Sequence, residues 1–426
     1  MTTAILDKAK QIMKAGYVCD HCLGRQFAQL TKGTTNAIRG KAIRDIFAFS
    51  TDATGKIDID EVNICAYDYR NAKIKKRKQK PACKICGNFF DTLGAIAKKA
   101  ANRLSAFEYE NFVVGTKVSG DIVGREEILW EEIGAEFCEP IKAEINRELG
   151  KLIEKATGKK ADFENPNIVI LFDMDKNDVN IQPSQIWIYG LYQKLARGIP
   201  QTKWPCRHCN GKGCGKCRNT GKMYPTSVEE IIAKPLLRAF SAPNSSMHGA
   251  GREDIDARCL GWRPFVMELI RPTKRKIKLK DLEKIVNKDK RVKVKFVKFC
   301  NKDTARKIKA AKLTKTYRII VDFEKPVKKE DVRKILKIGN LIKQRTPVRV
   351  AHRRADLVRE RRILKLTGRI ISKKRAEFLI KTEAGMYVKE LVTGDDGRTE
   401  PSFSGILNNK AKVRTLDVVE IGKIKV

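Results

Sequence analysis

Three acidic side chains within four positions form the stretch of this sequence best suited to chemistry. Glu253, Asp254 and Asp256 lie among the arginines and glycines of residues 248–264. An arginine within a few ångströms lowers a carboxyl pKa, so one of these acids is suited to act as an ionised nucleophile or base. The same composition is also common in surface loops with ordinary ion pairs. The residues alone leave both interpretations open.

This acidic segment is expected to be a loop that leads into a β-strand. Gly249 and Gly251 permit backbone turns that other residues resist. The apolar run that follows, residues 265–270, contains the β-branched and aromatic side chains that fit a pleated sheet. If the acidic segment itself is extended, Asp254 and Asp256 share one strand face. The pattern then ranks the two aspartates only weakly.

Cysteine spacing predicts two structural metal sites. Eight of the 12 cysteines form four Cys-x-x-Cys pairs, which in a reducing compartment indicate thiolate ligands rather than disulfides. Four sulfurs make a closed tetrahedral zinc site with no open position for catalysis. For the first set the alternative is two unrelated turns, because its pairs are far apart in the chain. The predicted zinc ligands are Cys19, Cys22, Cys83 and Cys86 for the first site, and Cys206, Cys209, Cys214 and Cys217 for the second.

The chain is strongly basic, with 89 Lys and Arg against 50 Asp and Glu and a formal net charge of +39. This excess is spread along the chain and favours a nucleic-acid partner. Binding to a membrane surface is the competing interpretation, but we find no apolar run of about 18 residues and no signal-peptide pattern. We therefore expect a soluble, cytoplasmic protein. The basic run 73–80 fits a solvated loop as well as a phosphate contact.

The order of predicted elements indicates an α+β protein. In the first half we predict a strand at 112–118, a helical stretch at 126–156 that Pro140 kinks or divides, and two strands around the turn at 175–178. These elements suggest an α/β accessory domain.

In the second half, a capping box at Ser227 starts a helix of roughly a dozen residues. Asp281 is placed to cap a short helix at 282–286, and 291–296 and 314–321 are predicted strands. Together they indicate a catalytic domain on a mainly antiparallel mixed sheet. The predicted domains are an accessory domain at 1–200, a zinc ribbon or linker at 201–222, and a catalytic domain at 223–426.

The acidic loop also resembles a known motif. Gly251-Arg252-Glu253-Asp254 resembles the Gly-Arg-x-Asp motif of pseudouridine synthases. The longer string from His248, with the following Arg-x-Leu-Gly and Arg-Pro-Phe, resembles the archaeal tRNA pseudouridine-54/55 synthase family. Cys-x-x-Cys-Leu-Gly-Arg at 19–25 and the basic segment at 344–354 also fit that family. The resemblance covers nearly the whole chain.

That resemblance implies a THUMP-type RNA-binding front domain and a pseudouridine synthase domain. The implied reaction flips a uridine out of its stack, breaks the bond between uracil N1 and ribose C1′, and rejoins the base through C5. No organic cofactor or catalytic metal is required. The implied substrate is tRNA, held by its T-arm and modified at uridines 54 and 55. We expect a monomer.

The resemblance also assigns roles to individual residues. Asp254 is the essential catalytic residue, and whether it adds to C1′ or removes a proton stays open. Tyr317 stacks on the target uracil, although its pattern alone fits a buried strand tyrosine. The implied substrate contacts are Arg252, Tyr317, Tyr387, Val388, Lys389 and Leu416, and the implied RNA-binding arginines are Arg345, Arg349, Arg353 and Arg354.

Two other functions are weighed against this one. Another THUMP-containing tRNA modification enzyme, such as a methyltransferase, needs a glycine-rich loop for its cofactor, and we find none. A zinc-dependent RNA-binding or assembly protein would use Asp254 only to pair with arginine. Substitution of Asp254 distinguishes the two roles, because a pure binding protein loses nothing specific.

Overall fold

The computed structural model describes residues 2–77, 79 and 81–424. The chain divides into two compact units, Met1–Ser184 and Gln185–Val426. The first predicted domain boundary was residue 200 instead. The difference arises because residues 186–194 form a strand of the second unit's sheet. Within the described part of the chain, no helix has both the length and the apolar character that a membrane span requires.

In the described part of the first unit, six α-helices combine with a four-stranded sheet. The helices are α1 (Thr2–Lys14), α2 (Asp20–Gly24), α3 (Asn36–Thr54), α4 (Leu93–Leu104), α5 (Gly120–Ile133) and α6 (Ile141–Thr157). The strands are β1 (Asn111–Lys117), β2 (Lys160–Ala161), β3 (Ile168–Asp173) and β4 (Asp178–Pro183), in the order β2-β1-β3-β4. Strand β1 runs parallel to β2 and β3, and β4 is antiparallel to β3.

Pro140 separates α5 from α6, as predicted. It is the residue immediately before α6, a place where the missing proline N–H costs no hydrogen bond. The buried side of α6 includes Ile145, Leu149 and Ile153, which belong to the same core as Phe112 of β1. Each such side chain contributes roughly 1.5–3 kcal/mol when it is fully buried.

The described residues of the second unit form six α-helices and ten strands. The helices are α7 (Val228–Ala239), α8 (Leu279–Val286), α9 (Lys302–Ala310), α10 (Lys329–Leu336), α11 (Val388–Thr393) and α12 (Phe403–Leu407). The strands are β5 (Ile186–Lys194), β6 (Asn244–Gly249), β7 (Arg258–Ile270), β8 (Val292–Cys300), β9 (Lys315–Phe323), β10 (Leu341–Arg345), β11 (Val358–Ser372), β12 (Arg375–Thr382), β13 (Thr399–Glu400) and β14 (Ala411–Ile421).

These ten strands form one sheet in the order β13-β10-β11-β12-β9-β14-β7-β5-β8, with β6 paired to β7. Among the described strands of this sheet only β14 and β7 pair in parallel, through Asp417 with Arg258 and Val418 with Cys259. The prediction of a mainly antiparallel mixed sheet is therefore confirmed. Strand β14 lies between two antiparallel parts of the sheet. One part ends at β9, and the other begins at β7.

Two apolar clusters hold helices against this sheet. One packs α7 and α8 against β5, β7 and β8, with Ile232, Leu236 and Phe265 fully buried. The other packs α11 and α12 against β9, β12 and β14, where the rings of Phe378 and Phe403 lie 4.9 Å apart. The sheet is thereby fixed on both sides of the β14–β7 junction.

The ends of two helices test the capping predictions. Ser227 caps α7 as expected, because its hydroxyl accepts a 3.2 Å hydrogen bond from the Glu230 backbone N–H. The prediction that Asp281 caps α8 is wrong. That helix begins at Leu279 after Lys278, so Asp281 lies in its first turn. There its negative charge interacts favourably with the positive end of the helix dipole.

Candidate active site

A cavity of about 450 Å³ in the second unit brings most of the predicted site residues together. The loop before β7, strands β9 and β14, the start of α11 and the segment after β10 all contribute to its wall. Nine of the eleven residues predicted for catalysis, substrate or RNA contact line it. They are Arg252, Asp254, Tyr317, Arg349, Arg354, Tyr387, Val388, Lys389 and Leu416.

The acidic loop is a turn rather than an extended segment. Gly251 has a φ of +69°, a left-handed conformation that favours glycine. The Ala257 N–H then donates to the Asp254 carbonyl over 3.1 Å, which closes a turn around residues 255–256. Asp254 lines the cavity that holds Tyr317, whereas Asp256 lines only a neighbouring cavity and has a 70% exposed side chain. Only Asp254 therefore shares a cavity with Tyr317, a distinction that the sequence pattern could not make.

Two cations flank the Asp254 carboxylate. Its oxygens lie 3.5 Å from Arg349 Nη1 and 3.3 Å from Lys389 Nζ. Lys389 also donates to both Asp256 oxygens, at 2.8 and 3.0 Å, and so bridges the two aspartates. Partial burial alone would raise the pKa of Asp256, but this ion pair holds it below its usual value. Arg349 is fixed in turn by a 2.6 Å hydrogen bond to Glu390.

A buried polar network lies beneath the loop. Lys194 is fully buried and donates to the backbone carbonyls of Ile199, Asp254 and Ile255 at 3.0, 3.0 and 3.1 Å. Burial lowers the pKa of this lysine. The ammonium group therefore connects the backbone of Asp254 and Ile255 to that of Ile199.

Glu253 is the anion at the centre of this network. Tyr192 donates to it over 3.1 Å, and Arg263 Nε lies 3.0 Å away in an ion pair too bent to form a hydrogen bond. Gln201 donates to the Tyr192 hydroxyl and to the Gly251 carbonyl, at 2.6 and 2.9 Å. Glu253 is therefore a buried structural acid rather than a free one.

Four further residues of the site were not predicted: Lys194, Gln201, Arg263 and Lys315. Arg263 could have been predicted from the sequence, because a charged residue inside the apolar strand β7 needs a buried polar or charged partner. Lys194 stands at the end of a strand, where a lysine is usually exposed. Only the fold shows that it points inward.

The wall that faces Asp254 is partly apolar. Tyr317 lies in the middle of the sheet, with its backbone opposite Ile380 of β12 and Val418 of β14. Burial raises the pKa of its phenol to about 12, so the ring is uncharged at neutral pH. Val388 and Leu416 are 4% and 8% exposed and add aliphatic surface. This arrangement offers a stacking face and an apolar floor to a planar base.

The two remaining predicted arginines are Arg345 and Arg353. Arg345 does not line the cavity, and pairs with Asp356 over 2.7 Å. The side chain of Arg353 lies outside the described part of the structure. Arg354 lines the cavity and donates to the Tyr387 hydroxyl over 3.0 Å.

The first cysteine set forms a buried cluster in the first unit. Cys19, Cys22, Cys83 and Cys86 place their sulfurs within 4.8 Å of one another. The Cys19 and Cys86 sulfurs are 3.6 Å apart, close to the roughly 3.8 Å that a tetrahedral zinc–thiolate site requires. Buried Arg25 donates to Cys22 Sγ over 2.9 Å, which offsets part of the thiolate charge. Four cysteines that the sequence separates therefore meet in one metal-binding geometry.

The second cysteine set lies within a short segment of the second unit. Cys206, Cys209, Cys214 and Cys217 also have sulfurs within 4.8 Å of one another. Individual separations are 4.0 Å for Cys206–Cys214 and 3.7 Å for Cys214–Cys217. Backbone N–H groups of Gly213 and Gly221 donate to Cys209 and Cys217, as is common around metal-bound thiolates. The donors present fit a structural metal ion.

Comparisons with known proteins agree with this geometry. The family model described as "Pus10, C-terminal" matches residues 187–422, more than half of the chain, and "Pus10 THUMP domain, archaeal" matches residues 96–173. A protein named tRNA pseudouridine synthase Pus10 from Methanothrix thermoacetophila is 39% identical over 429 residues, covering 99% of this chain and 95% of that protein. Its namesake from Archaeoglobus fulgidus is 42% identical over 346 residues, covering 80% of this chain and 94% of that one.

Solved structures show much weaker similarity. "Crystal structure of pseudouridylate synthase" gives a TM-score of 0.22 at 12% identity, covering 70% of this chain and 88% of that chain. "Crystal Structure of a Cbf5-Nop10-Gar1 Complex" gives 0.28 at 13% identity, covering 53% and 47%. The family assignment rests on the sequence relatives. With an archaeal THUMP match, a catalytic-domain match and full-length relatives, the chain belongs to the Pus10 family of pseudouridine synthases, which are isomerases.

Proposed function

We propose that this chain isomerises uridines 54 and 55 in the T-loop of tRNA to pseudouridine, with Asp254 as the essential catalytic residue. One observation carries the proposal. Asp254, paired with Arg349 and Lys389, shares a single cavity with Tyr317. The reaction requires a carboxylate near the ribose and a ring that stacks on the flipped uracil, both at one site.

The proposed division of labour follows from the contacts. The flipped uracil stacks on Tyr317, with Val388 and Leu416 beneath it. Arg349 and Lys389 pair with the Asp254 carboxylate and fix its direction. Asp254 then acts at the ribose, either by adding to C1′ or by removing a proton. Arg252 and Arg354, at the same cavity, bind the RNA backbone, and Arg345 and Arg353 are proposed to extend that contact.

The two cysteine clusters are proposed to bind zinc. Four thiolates favour zinc, and a set of four leaves no open coordination position, so both ions are structural. Bound there, zinc holds its cysteine turns together. The THUMP-containing unit and the ribbon are proposed to grip the tRNA T-arm, in keeping with the net charge of +39. A cytoplasmic monomer remains our prediction for the working form.

The deciding experiment compares wild type with Asp254→Asn and Asp256→Asn on an unmodified tRNA transcript. Pseudouridine is mapped by chemical adduct formation and primer extension, and tRNA affinity is measured in parallel. We expect product at 54 and 55 from wild type, none from Asp254→Asn, and near-normal tRNA binding by both variants. Asp256→Asn is the matched control, because it also lies beside Lys389, and it should keep activity within about tenfold.

Each alternative has its own outcome in the same assay. If all three proteins bind tRNA and none forms pseudouridine, the chain is an RNA-binding or assembly protein. Product from Asp254→Asn but not from Asp256→Asn would transfer the catalytic role to the second aspartate. Product at other uridines would support pseudouridine formation but would exclude positions 54 and 55 in the T-loop as its sites.

A further inference from the structure

Two cations converge at the wall of the cavity formed by β7 and β9. A Cβ atom placed on Gly251 would lie 3.6 Å from Arg263 Nη1 and 3.8 Å from Lys315 Nζ. Lys315 is two residues before Tyr317 on β9, so both side chains emerge on the same face of the strand. Both also line the cavity that contains Asp254. The glycine leaves a small space open between the two positive groups.

Neither cation is saturated by protein partners. Lys315 Nζ donates to the Leu313 carbonyl at 3.3 Å, and no described carboxylate lies within ion-pair distance of it. Arg263 is fully buried, and its Nη2 has no hydrogen-bond partner among the described residues. A buried donor without a partner costs free energy. The site therefore presents unused donors towards whatever occupies the cavity.

The charge balance of the cavity points to an anionic occupant. Six cationic residues line it against two anionic ones. Arg349 and Lys389 are paired with Asp254, and Glu253 offsets the charge of Arg263. Arg252 and Arg354 are suited to phosphates of the RNA. Among the described residues, Lys315 has no counter-ion, and it lies beside the ring on which the base is proposed to stack.

We propose that Lys315, assisted by Arg263, binds a carbonyl oxygen of the target uracil and stabilises the negative charge that the base acquires during isomerisation. This inference rests on the proposed function. When the C1′–N1 bond breaks, its electron pair stays on the base and delocalises onto the carbonyl oxygens. When C5 bonds to C1′, the ring supplies the pair, the C5 proton leaves and N1 gains a proton. No co-reactant is consumed, and the charge on the oxygens disappears.

The role requires a charged Lys315, which makes it visible in a pH profile. Burial and the neighbouring Arg263 lower the pKa of Lys315 to about 8. The other titratable groups near Lys315 are Cys259 on β7 and Tyr317 on β9, whose burial raises their pKa values to about 11 and about 12. Activity should therefore fall as pH rises through about 8. A guanidinium in place of the amine stays charged throughout and should remove that decline.

The test measures single-turnover loss of the target nucleotide in tRNA transcripts that carry uridine or 5-fluorouridine there. Because C5 of 5-fluorouridine has no proton to lose, its rejoined base takes up water at C6 instead, so consumption of the nucleotide is followed rather than formation of pseudouridine. Fluorine withdraws electrons and stabilises the departing base, so this substrate needs less help from a cation. We expect Lys315→Met to slow the uridine reaction about 100-fold, a typical cost of one lost stabilising donor, and the 5-fluorouridine reaction only about tenfold. Lys315→Arg should stay within about tenfold of wild type and lose the decline near pH 8.

The controls separate failure of this inference from failure of the proposed function. The exposed Lys312→Met, on the segment leading into β9, should match wild type on both substrates. Equal losses on the two substrates, or an unchanged pH profile for Lys315→Arg, would overturn the role of Lys315. An inactive wild type would instead reject the proposed function. Circular dichroism and tRNA affinity of each variant establish that it folds and binds.

Discussion

Replacing Lys194 with methionine should lower the catalytic rate far more than it lowers tRNA affinity. This lysine does not line the cavity, yet it donates to the carbonyl of Asp254 and to those of Ile199 and Ile255. Methionine has a similar length and no donors. The substitution therefore frees the backbone of Asp254, the proposed catalytic residue, while the arginines proposed to contact RNA stay in place.

The expected magnitude follows from these three contacts. A hydrogen bond to a charged group contributes about 1.5–3 kcal/mol, so three contribute a gross total of roughly 5–9 kcal/mol. Burial lowers the pKa of Lys194, which shows that the buried charge itself carries a cost, and methionine removes that cost. We expect a net loss of about 2–4 kcal/mol in unfolding free energy. A carboxylate displaced by about 1 Å would slow the reaction about 100-fold.

The assay is single-turnover pseudouridine formation, with tRNA affinity and thermal unfolding measured on the same preparations. Lys293→Met is the control, because Lys293 is an exposed lysine on the neighbouring strand β8. A positioning role predicts a dissociation constant within about threefold of wild type together with the slow rate. A folded Lys194→Met protein that converts tRNA within threefold of the wild-type rate would refute the reasoning.

The remaining predictions concern the metal clusters and one helix cap. Wild-type protein should carry two zinc ions per chain by elemental analysis, and Cys83→Ser or Cys209→Ser should each remove one and lower the thermal midpoint. One ion or none in wild type would contradict the two-site proposal. Ser227→Ala should cost about 1 kcal/mol of stability, because the Glu230 N–H loses its partner. Ser372→Ala, at an exposed strand end, should have no effect in the same denaturant titration, and an equal loss there would contradict the capping explanation.

Local features of the fold were predictable because they depend on neighbouring residues. Apolar periodicity, the break at Pro140 and the capping box at Ser227 all act within one or two helical turns, and the structure has elements where they were expected. The cysteine pairs also allowed one long-range contact to be predicted. Because a tetrahedral ion needs four ligands, two distant Cys-x-x-Cys pairs were expected to meet, and their sulfurs do.

Features that depend on long-range packing were not predictable. The different surroundings of Asp254 and Asp256 come from a turn at 255–256, which needs the buried Lys194 to hold its carbonyls. Lys389 was predicted as a substrate contact, and its position between the two aspartates, closer to Asp256 than to Asp254, was not. Lys315 looked like an ordinary strand lysine. Each of these outcomes is decided by which distant strand becomes a neighbour, and no local pattern carries that information.

The position of β14 has a consequence for how the enzyme is made. This strand is inserted between β9 and β7, and it carries Leu416 and Val418 into the cavity wall. While the ribosome is still synthesising residues 411–421, the loop with Asp254 and the strand with Tyr317 belong to two sheets that have no direct pairing. Pairings between such distant segments form slowly because of the entropy of closing the intervening chain. A nascent chain therefore cannot modify RNA until this strand has emerged, and its two exposed sheet edges are the surfaces a chaperone would shield.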